Sequence, residues 1–421
     1  VSAPDSSGDG RVTKASKSVP AELDDDTSQT AMEKTFPMLQ MGNKTPIASI
    51  ENLRNLLDFH GITCRYNVIS KQYEIIIPDE QFSQDNADIA SLARVASRMA
   101  EVQLPTAHYK EYISYIGDAN QYNPVLQWVT SKKWDGINRI DELCGTIKAK
   151  NEEAKNMFIR RWLITAMYMA MHDGYDSPGC LVLQGPQGLG KTWWFRKLCD
   201  QPNLIRTDAN VDPRNRDSVS QVIRYWIVEL GEIGSTFRRS DVDALKAFIT
   251  SSSDILRRPY ATTDQLYPRR TVLAASVNEA IYLHDPTGNR RFFTVQCTEI
   301  NSYHKIDMQQ LWAEVHNLIE NCQETPHLTS EEKRLVDEIN MEHMQIDPIE
   351  EMILSFYNWG DAMAYDWKTS TVIAADIGLK NISQKETRKI AEVVRKLNSN
   401  DFSKEKRSNG QLKFFTPEPR S

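Results

Sequence analysis

Lysine and threonine close an eight-residue run, Gly185-Pro186-Gln187-Gly188-Leu189-Gly190-Lys191-Thr192, that reads G-x-x-x-x-G-K-T. Glycines at this spacing let a backbone wrap closely round a phosphate, with successive N–H groups turned toward its oxygens. The lysine then reaches the β- and γ-phosphates of ATP, and the threonine hydroxyl is a ligand for Mg²⁺. All eight residues are candidates to bind the nucleotide, and Thr192 to hold the metal. The flanks match: 180–184, Cys-Leu-Val-Leu-Gln, reads as a strand and 191–198 as a helix. A chance glycine-rich turn is the rival, and it does not explain why every fixed position is filled.

Hydrolysis needs carboxylates at neighbouring strand ends. The apolar run Tyr225-Trp-Ile-Val-Glu-Leu230 reads as a second buried strand, with Glu229 near its end and Glu232 just beyond. One acid is needed to hold Mg²⁺ through water and one to orient the attacking water; Glu229 and Glu232 fill the two roles in an order the residues leave open. A third strand, 271–277, runs into Asn278, a polar residue placed to position water. Beyond it, Asp285-Pro-Thr-Gly-Asn-Arg-Arg-Phe292 puts Arg290 and Arg291 on a turn, where a guanidinium can reach a neighbouring subunit's nucleotide; a structural salt bridge is the alternative.

Two stretches have the composition of a nucleic-acid surface. Lys246, Arg257, Arg258, Tyr260, Tyr267, Arg269 and Arg270 interleave charge and aromatic rings on what reads as a hairpin, suited to grip phosphates and stack bases. Near the C-terminus, Lys385, Arg388, Lys389, Arg395 and Lys396 lie along a helix over 385–397. A two-strand wing over 402–415 follows, turning at Asn409-Gly410. That order resembles a winged helix docking on duplex DNA. A solvated basic face is the bland reading of both stretches.

The elements that position these residues follow from periodicity. Residues 1–44 are rich in Ser, Asp and Gly and read as a disordered arm or linker. Helix over 47–57, a hairpin over 65–77, and helices over 88–102 and 124–131 make a small α+β N-terminal domain, 45–150, that ends in the connector Trp134-Asp-Gly. A long helix over 152–172 opens the core, 151–346. Strands there alternate with helices, which argues for a parallel sheet with ligands at its carboxyl edge. The tail, 347–421, is the winged-helix-like domain.

Composition bounds the rest. The chain has 421 residues and a net charge of −7, so binding of nucleic acid has to use local patches. Six cysteines are scattered without a C-x-x-C pair, which argues against a zinc site or disulfide framework and suits a reducing cytoplasm. No apolar run has transmembrane length, so no membrane is expected. The chain begins at Val1, either after loss of Met or as part of a longer polypeptide, which leaves a primase open as partner or upstream domain.

Motif order now gives a resemblance. Phosphate loop, strand with Glu229 and Glu232, Lys246…Asp254…Arg258, strand ending at Asn278 and Asn289-Arg-Arg-Phe292 follow the order of superfamily 3 helicases. The Trp134-Asp-Gly start, Trp226-Ile-Val-Glu-Leu-Gly-Glu232 and Pro286-Thr-Gly-Asn-Arg-Arg-Phe-Phe293 resemble the virulence-associated protein E family of phages and genomic islands, over residues 120–300. The resemblance implies an α/β fold with an AAA+-like phosphate-loop core. It also implies a homo-oligomer, usually a hexameric ring, that translocates on single-stranded DNA with ATP and Mg²⁺. Two positions depart from the pattern: Glu229 stands where Asp is usual, and Ser252-Ser253-Asp254 where some relatives have Gly-Gly-Asp. The function expected is a replicative DNA helicase in the host cytoplasm. The rivals are an origin-binding initiator ATPase that unwinds little and a nucleotide-gated scaffold without turnover.

Overall fold

The structure is a computed structural model that describes residues 36–41, 45–83, 86–231, 239–256, 264–283, 288–345, 347–359, 364–399 and 401–420. Among the sites expected above, Glu232, Arg257, Arg258 and Tyr260 lie outside the described residues, as does nearly all of the N-terminal arm. The chain falls into two compact units, Val1–Pro124 and Val125–Ser421.

In the first unit Ser49 caps α1 (Ile50–Phe59), its hydroxyl accepting the Asn52 N–H. The hairpin β1 (Thr63–Asn67) and β2 (Gln72–Ile76) follows, then α2 (Ala87–Glu101), α3 (Tyr109–Asp118) and β3 (Gln121–Tyr122). The strands pair in the order β2-β1-β3. Leu53, Leu56, Val95, Met99 and Ile113 from the three helices form the core.

Helix α4 (Pro124–Val129) begins at the boundary, and the second unit goes on through α5 (Ile140–Gly145), β4 (Ile147–Ala149), α6 (Glu152–Met171), β5 (Cys180–Gln184) and α7 (Lys191–Arg196). Next come β6 (Ile205–Ala209), α8 (Arg216–Val222), β7 (Ile227–Leu230), α9 (Arg239–Ile249) and the hairpin β8 (Ser253–Leu256) and β9 (Gln265–Pro268). β10 (Val272–Val277), a 3₁₀ turn at Asn289–Arg291, β11 (Phe292–Ile300), α10 (Met308–Glu320) and α11 (Ser330–Glu342) complete the central part. Strand β4 joins this sheet, so the segment read from sequence as a connector packs with the core.

Six strands pair in the order β4-β11-β5-β10-β7-β6. All neighbours are parallel except β4, which runs antiparallel to β11 at the edge. Strands β5, β7 and β10 are buried along their whole length, as expected of a sheet covered on both faces. Helix α6 is buried nearly all round. Trp162 on it donates its indole N–H to the Leu273 carbonyl, Trp226 donates to Ala166, and Trp312 to Leu198, so these large core rings leave no polar atom unsatisfied.

The last elements are α12 (Pro348–Phe356), β12 (Tyr365–Thr369), α13 (Ser370–Asp376), α14 (Gln384–Leu397), β13 (Glu405–Ser408) and β14 (Gln411–Pro417). The strands form an antiparallel sheet in the order β12-β14-β13, closed over Ile353, Ile373, Ile390 and Phe414. Asn409 and Gly410 both take left-handed backbone angles, the turn that a two-residue hairpin requires. A Ser383–Glu386 capping box starts α14.

Candidate nucleotide-binding site

The 185–190 loop joins β5 to α7 at the carboxyl edge of the sheet. Gly190 has φ +92°, and a Cβ there would sit 3.0 Å from the Ser302 hydroxyl; one at Gly185 would sit 2.9 Å from the Cys297 carbonyl. Glycine is therefore demanded at Gly185 by packing, and at Gly190 by packing and by backbone angle. The segment that ends β11 and leads into α10 presses the loop into shape.

Lys191 lies folded under this loop. Its Nζ donates to the carbonyls of Gly185 (2.7 Å) and Pro186 (2.8 Å) and to Asn278 Oδ1 (2.9 Å). The lysine and the residue that follows the third strand are thus in direct contact. Gln184, last in β5, reaches the Asn278 carbonyl at 3.4 Å.

Glu229 is fully buried. One carboxylate oxygen accepts the Ser276 hydroxyl at 2.6 Å and faces the Thr192 hydroxyl at 3.4 Å; the other accepts the Asp208 N–H at 2.7 Å. A carboxylate and a hydroxyl brought together this way supply the hard oxygen donors that Mg²⁺ takes. The chain therefore assembles Lys191, Thr192, Glu229 and Asn278 from three adjacent parallel strands and the loop after one of them.

Two residues here escaped the sequence reading. Ser276 is the one hydroxyl in the otherwise apolar β10, a signal that could have been taken. Asp208, next to last in β6, takes a left-handed conformation (φ +56°), and a side chain at Gly231 would collide with its carboxylate. A half-buried Thr and an exposed Asp on a short edge strand carry no comparable signal.

Arg290 and Arg291 lie elsewhere. Phe292 pairs with Cys180, so the 3₁₀ turn sits at the amino end of the sheet, beside Gly179. The length of β5, roughly 16 Å at about 3.3 Å per residue, separates it from the phosphate loop of its own chain. Arg290 is exposed and Arg291 half-buried.

The expected hairpin surface is corrected at its base. Arg269 is 1% exposed, forks both oxygens of Asp254, donates to the Phe248 carbonyl and lies over the Phe248 ring at 4.1 Å. Tyr267 is buried, with its hydroxyl on Gln265. Arg270 is tied to the Ala170 carbonyl and to Asp173. Lys246 is buried as well. Burial and internal partners take these four off the surface that would meet DNA. On α14, Lys385 and Arg388 are exposed, whereas Lys389 lies 3.6 Å from both Asp347 and Glu392, Arg395 pairs with Glu405, and Lys396 with Glu350.

The virulence-associated protein E-like domain family matches residues 129–345, which enclose Lys191, Thr192, Glu229 and Asn278 but not α14. No curated protein matches the chain. Among solved structures, the apo C-terminal region of NrS-1 (its residues 305–718) is 13% identical, covers 87% of this chain and 98% of its own, and superposes with a TM-score of 0.45. A second apo form of that region gives the same identity and coverage and a TM-score of 0.43.

Proposed function

The chain belongs to the virulence-associated protein E-like family, and from that premise we propose that it is an ATP-driven DNA helicase of phage or mobile-element replication, acting as a ring on single-stranded DNA. One juxtaposition supports the nucleotide chemistry above all: Lys191 touches Asn278 while Thr192 faces a buried Glu229. In this reading Lys191 exchanges the Gly185 and Pro186 carbonyls for phosphate oxygens, and Asn278 keeps its ammonium aimed at them. Thr192 and Glu229 hold Mg²⁺, which neutralises charge on the β- and γ-oxygens. Glu232 is the candidate to orient the attacking water.

The position of Arg290 and Arg291 supports a site shared between subunits, since a guanidinium at the opposite sheet edge serves a neighbour's loop and not its own. Rings built from heterologous contacts place one subunit's far edge against the next one's near edge. A hexamer is the expected size.

A second reading, an origin-binding initiator, is favoured by the exposed Lys385 and Arg388 on a capped helix beside a basic wing. Strand displacement on a forked duplex separates the two. The test of the common core is ATP turnover with and without single-stranded DNA. We expect Lys191→Ala and Glu229→Gln each to lower the rate by at least about 100-fold, a loss of roughly 2.7 kcal/mol in transition-state stabilisation, with unfolding midpoints held. Turnover near the unmodified rate in either folded variant would refute the assignment.

A further inference from the structure

The last sheet has a face that its core does not use. Along the strands every second side chain turns inward: Phe414, opposite Lys368 and Glu405, is wholly buried, and Leu412 packs on the same core. The alternate positions face outward, because successive side chains on a strand point to opposite faces. They bring Tyr365 and Trp367 of β12, Lys413 and Phe415 of β14, and Lys406 of β13 onto one surface.

The rings form a ladder. Trp367 lies opposite Phe415 with centroids 5.2 Å apart, and Tyr365 stacks on Phe415 at 4.8 Å with planes 7° apart. Such cross-strand pairs help to hold a sheet, a role they would serve equally well on the core face. Here they meet solvent instead: Tyr365 is 43% exposed, and Trp367 and Phe415 are half-buried. The lysines beside them are placed at a cost. Lys406 and Lys413 stand directly opposite each other, where like charges repel. The acids of these strands do not answer them. Asp366 and Glu405 occupy the alternate register positions, opposite Thr416 and Phe414, and Glu405 is taken by Arg395. No outward position on the three strands is Asp or Glu. Lys406 Nζ leans over the Trp367 ring at 4.1 Å, so cation and aromatic ring are side by side.

We propose that this face binds single-stranded nucleic acid, its rings stacking unpaired bases while Lys406 and Lys413 contact the phosphates between them. Every base has a π-face, and a polyanion relieves the repulsion between the two lysines. Bases in a duplex are stacked on one another and offer no free face to a protein ring, so the ligand is a single strand. DNA and RNA present the same chemistry here. The site rests neither on ATP hydrolysis nor on the α14 cations Lys385 and Arg388.

The experiment is photocrosslinking of the full chain to iodouracil oligonucleotides of about 12 residues, in deoxyribose and ribose forms, with the crosslinked peptides mapped by mass spectrometry. Crosslinks at Tyr365, Trp367 or Phe415 are expected, and the form that crosslinks at the lower concentration identifies the strand as DNA or RNA. Fluorescence anisotropy then compares that strand with an abasic one of equal length. Trp367→Leu keeps apolar bulk without the ring. It should weaken the base-bearing strand by about fivefold or more and leave the abasic strand unchanged, whereas a purely structural ring would move both or neither. Lys406→Gln combined with Lys413→Gln should weaken both strands and flatten the slope of log affinity against log salt by about 1.4. Crosslinks found only elsewhere in the chain, no binding of either form, or unchanged affinity of Trp367→Leu for the base-bearing strand would overturn the proposal. So would crosslinks absent from the face together with a smaller assembly for Trp367→Leu in sedimentation, which would assign the face to contact between copies.

Discussion

Ser276 holds the most informative hydrogen bond in the chain. Its hydroxyl donates to Glu229 at 2.6 Å inside the sheet and fixes the oxygen that faces Thr192. Partners of this kind typically contribute about 10–100-fold to metal affinity or activity. Ser276→Ala is therefore expected to need more Mg²⁺ and to hydrolyse ATP about 10–100-fold more slowly at fixed Mg²⁺. A magnesium titration of the rate checks it, and an unchanged midpoint would remove Ser276 from the site. At the same scale, Arg269 and Asp254 form a buried pair, so Arg269→Ala leaves a carboxylate without its counter-charge. We expect a loss of about 3–5 kcal/mol in urea unfolding, with no role in DNA affinity beyond that. These two residues also mark where the sequence was legible and where it was not. Lys191 and Thr192 were readable from the glycine spacing before them, and Glu229 and Asn278 because each stands at or near the end of a continuous apolar run. Arg269 was misread as surface because its partner lies across a hairpin, and no local pattern of Tyr-Pro-Arg-Arg distinguishes a buried fork from a solvated one.

Helix α10 shows what an element does for a site it does not touch. Gln309 and Gln310 donate to the Val129, Lys132 and Lys133 carbonyls, and Gln310 accepts the Asp135 N–H. Glu314 accepts the N–H groups of Arg139 and Ile140, which start α5. One helix face thereby stitches down the Trp134-Asp-Gly connection that leads into the sheet. Burial pushes the Glu314 carboxyl up from the ordinary glutamate range, against the opposing pull of those two N–H bonds. The folded state then binds a proton more readily than the unfolded one. Glu314 accordingly favours folding at low pH, and that contribution is lost as pH rises through its raised value. Comparing urea midpoints of the unmodified chain and Glu314→Gln from about pH 4 to about pH 7 should show the unmodified chain losing stability relative to the variant. Parallel profiles would contradict the shift. Elements were legible in proportion to their burial: β5, β7 and β10 are buried throughout and were read as strands, whereas β6 and β12 mix polar and apolar residues at sheet edges and were not.

At the scale of the whole molecule, the sheet separates the two groups of residues that the proposed ATP hydrolysis would combine. The phosphate loop and Glu229 lie at the carboxyl edge, and Arg290 and Arg291 at the amino edge, with the length of β5 between them. The proposed function needs a second copy to bring these groups together, and that is its central claim. The most direct measurement mixes two inactive proteins: Lys191→Ala, which keeps the arginines, and a variant with Arg290→Ala and Arg291→Ala, which keeps the phosphate loop. In equal mixture about one heterologous interface in four joins an intact loop to an intact arginine pair. The account predicts ATP turnover in the mixture well above that of either protein alone. Co-assembly of the two proteins with turnover no higher than either alone would contradict it.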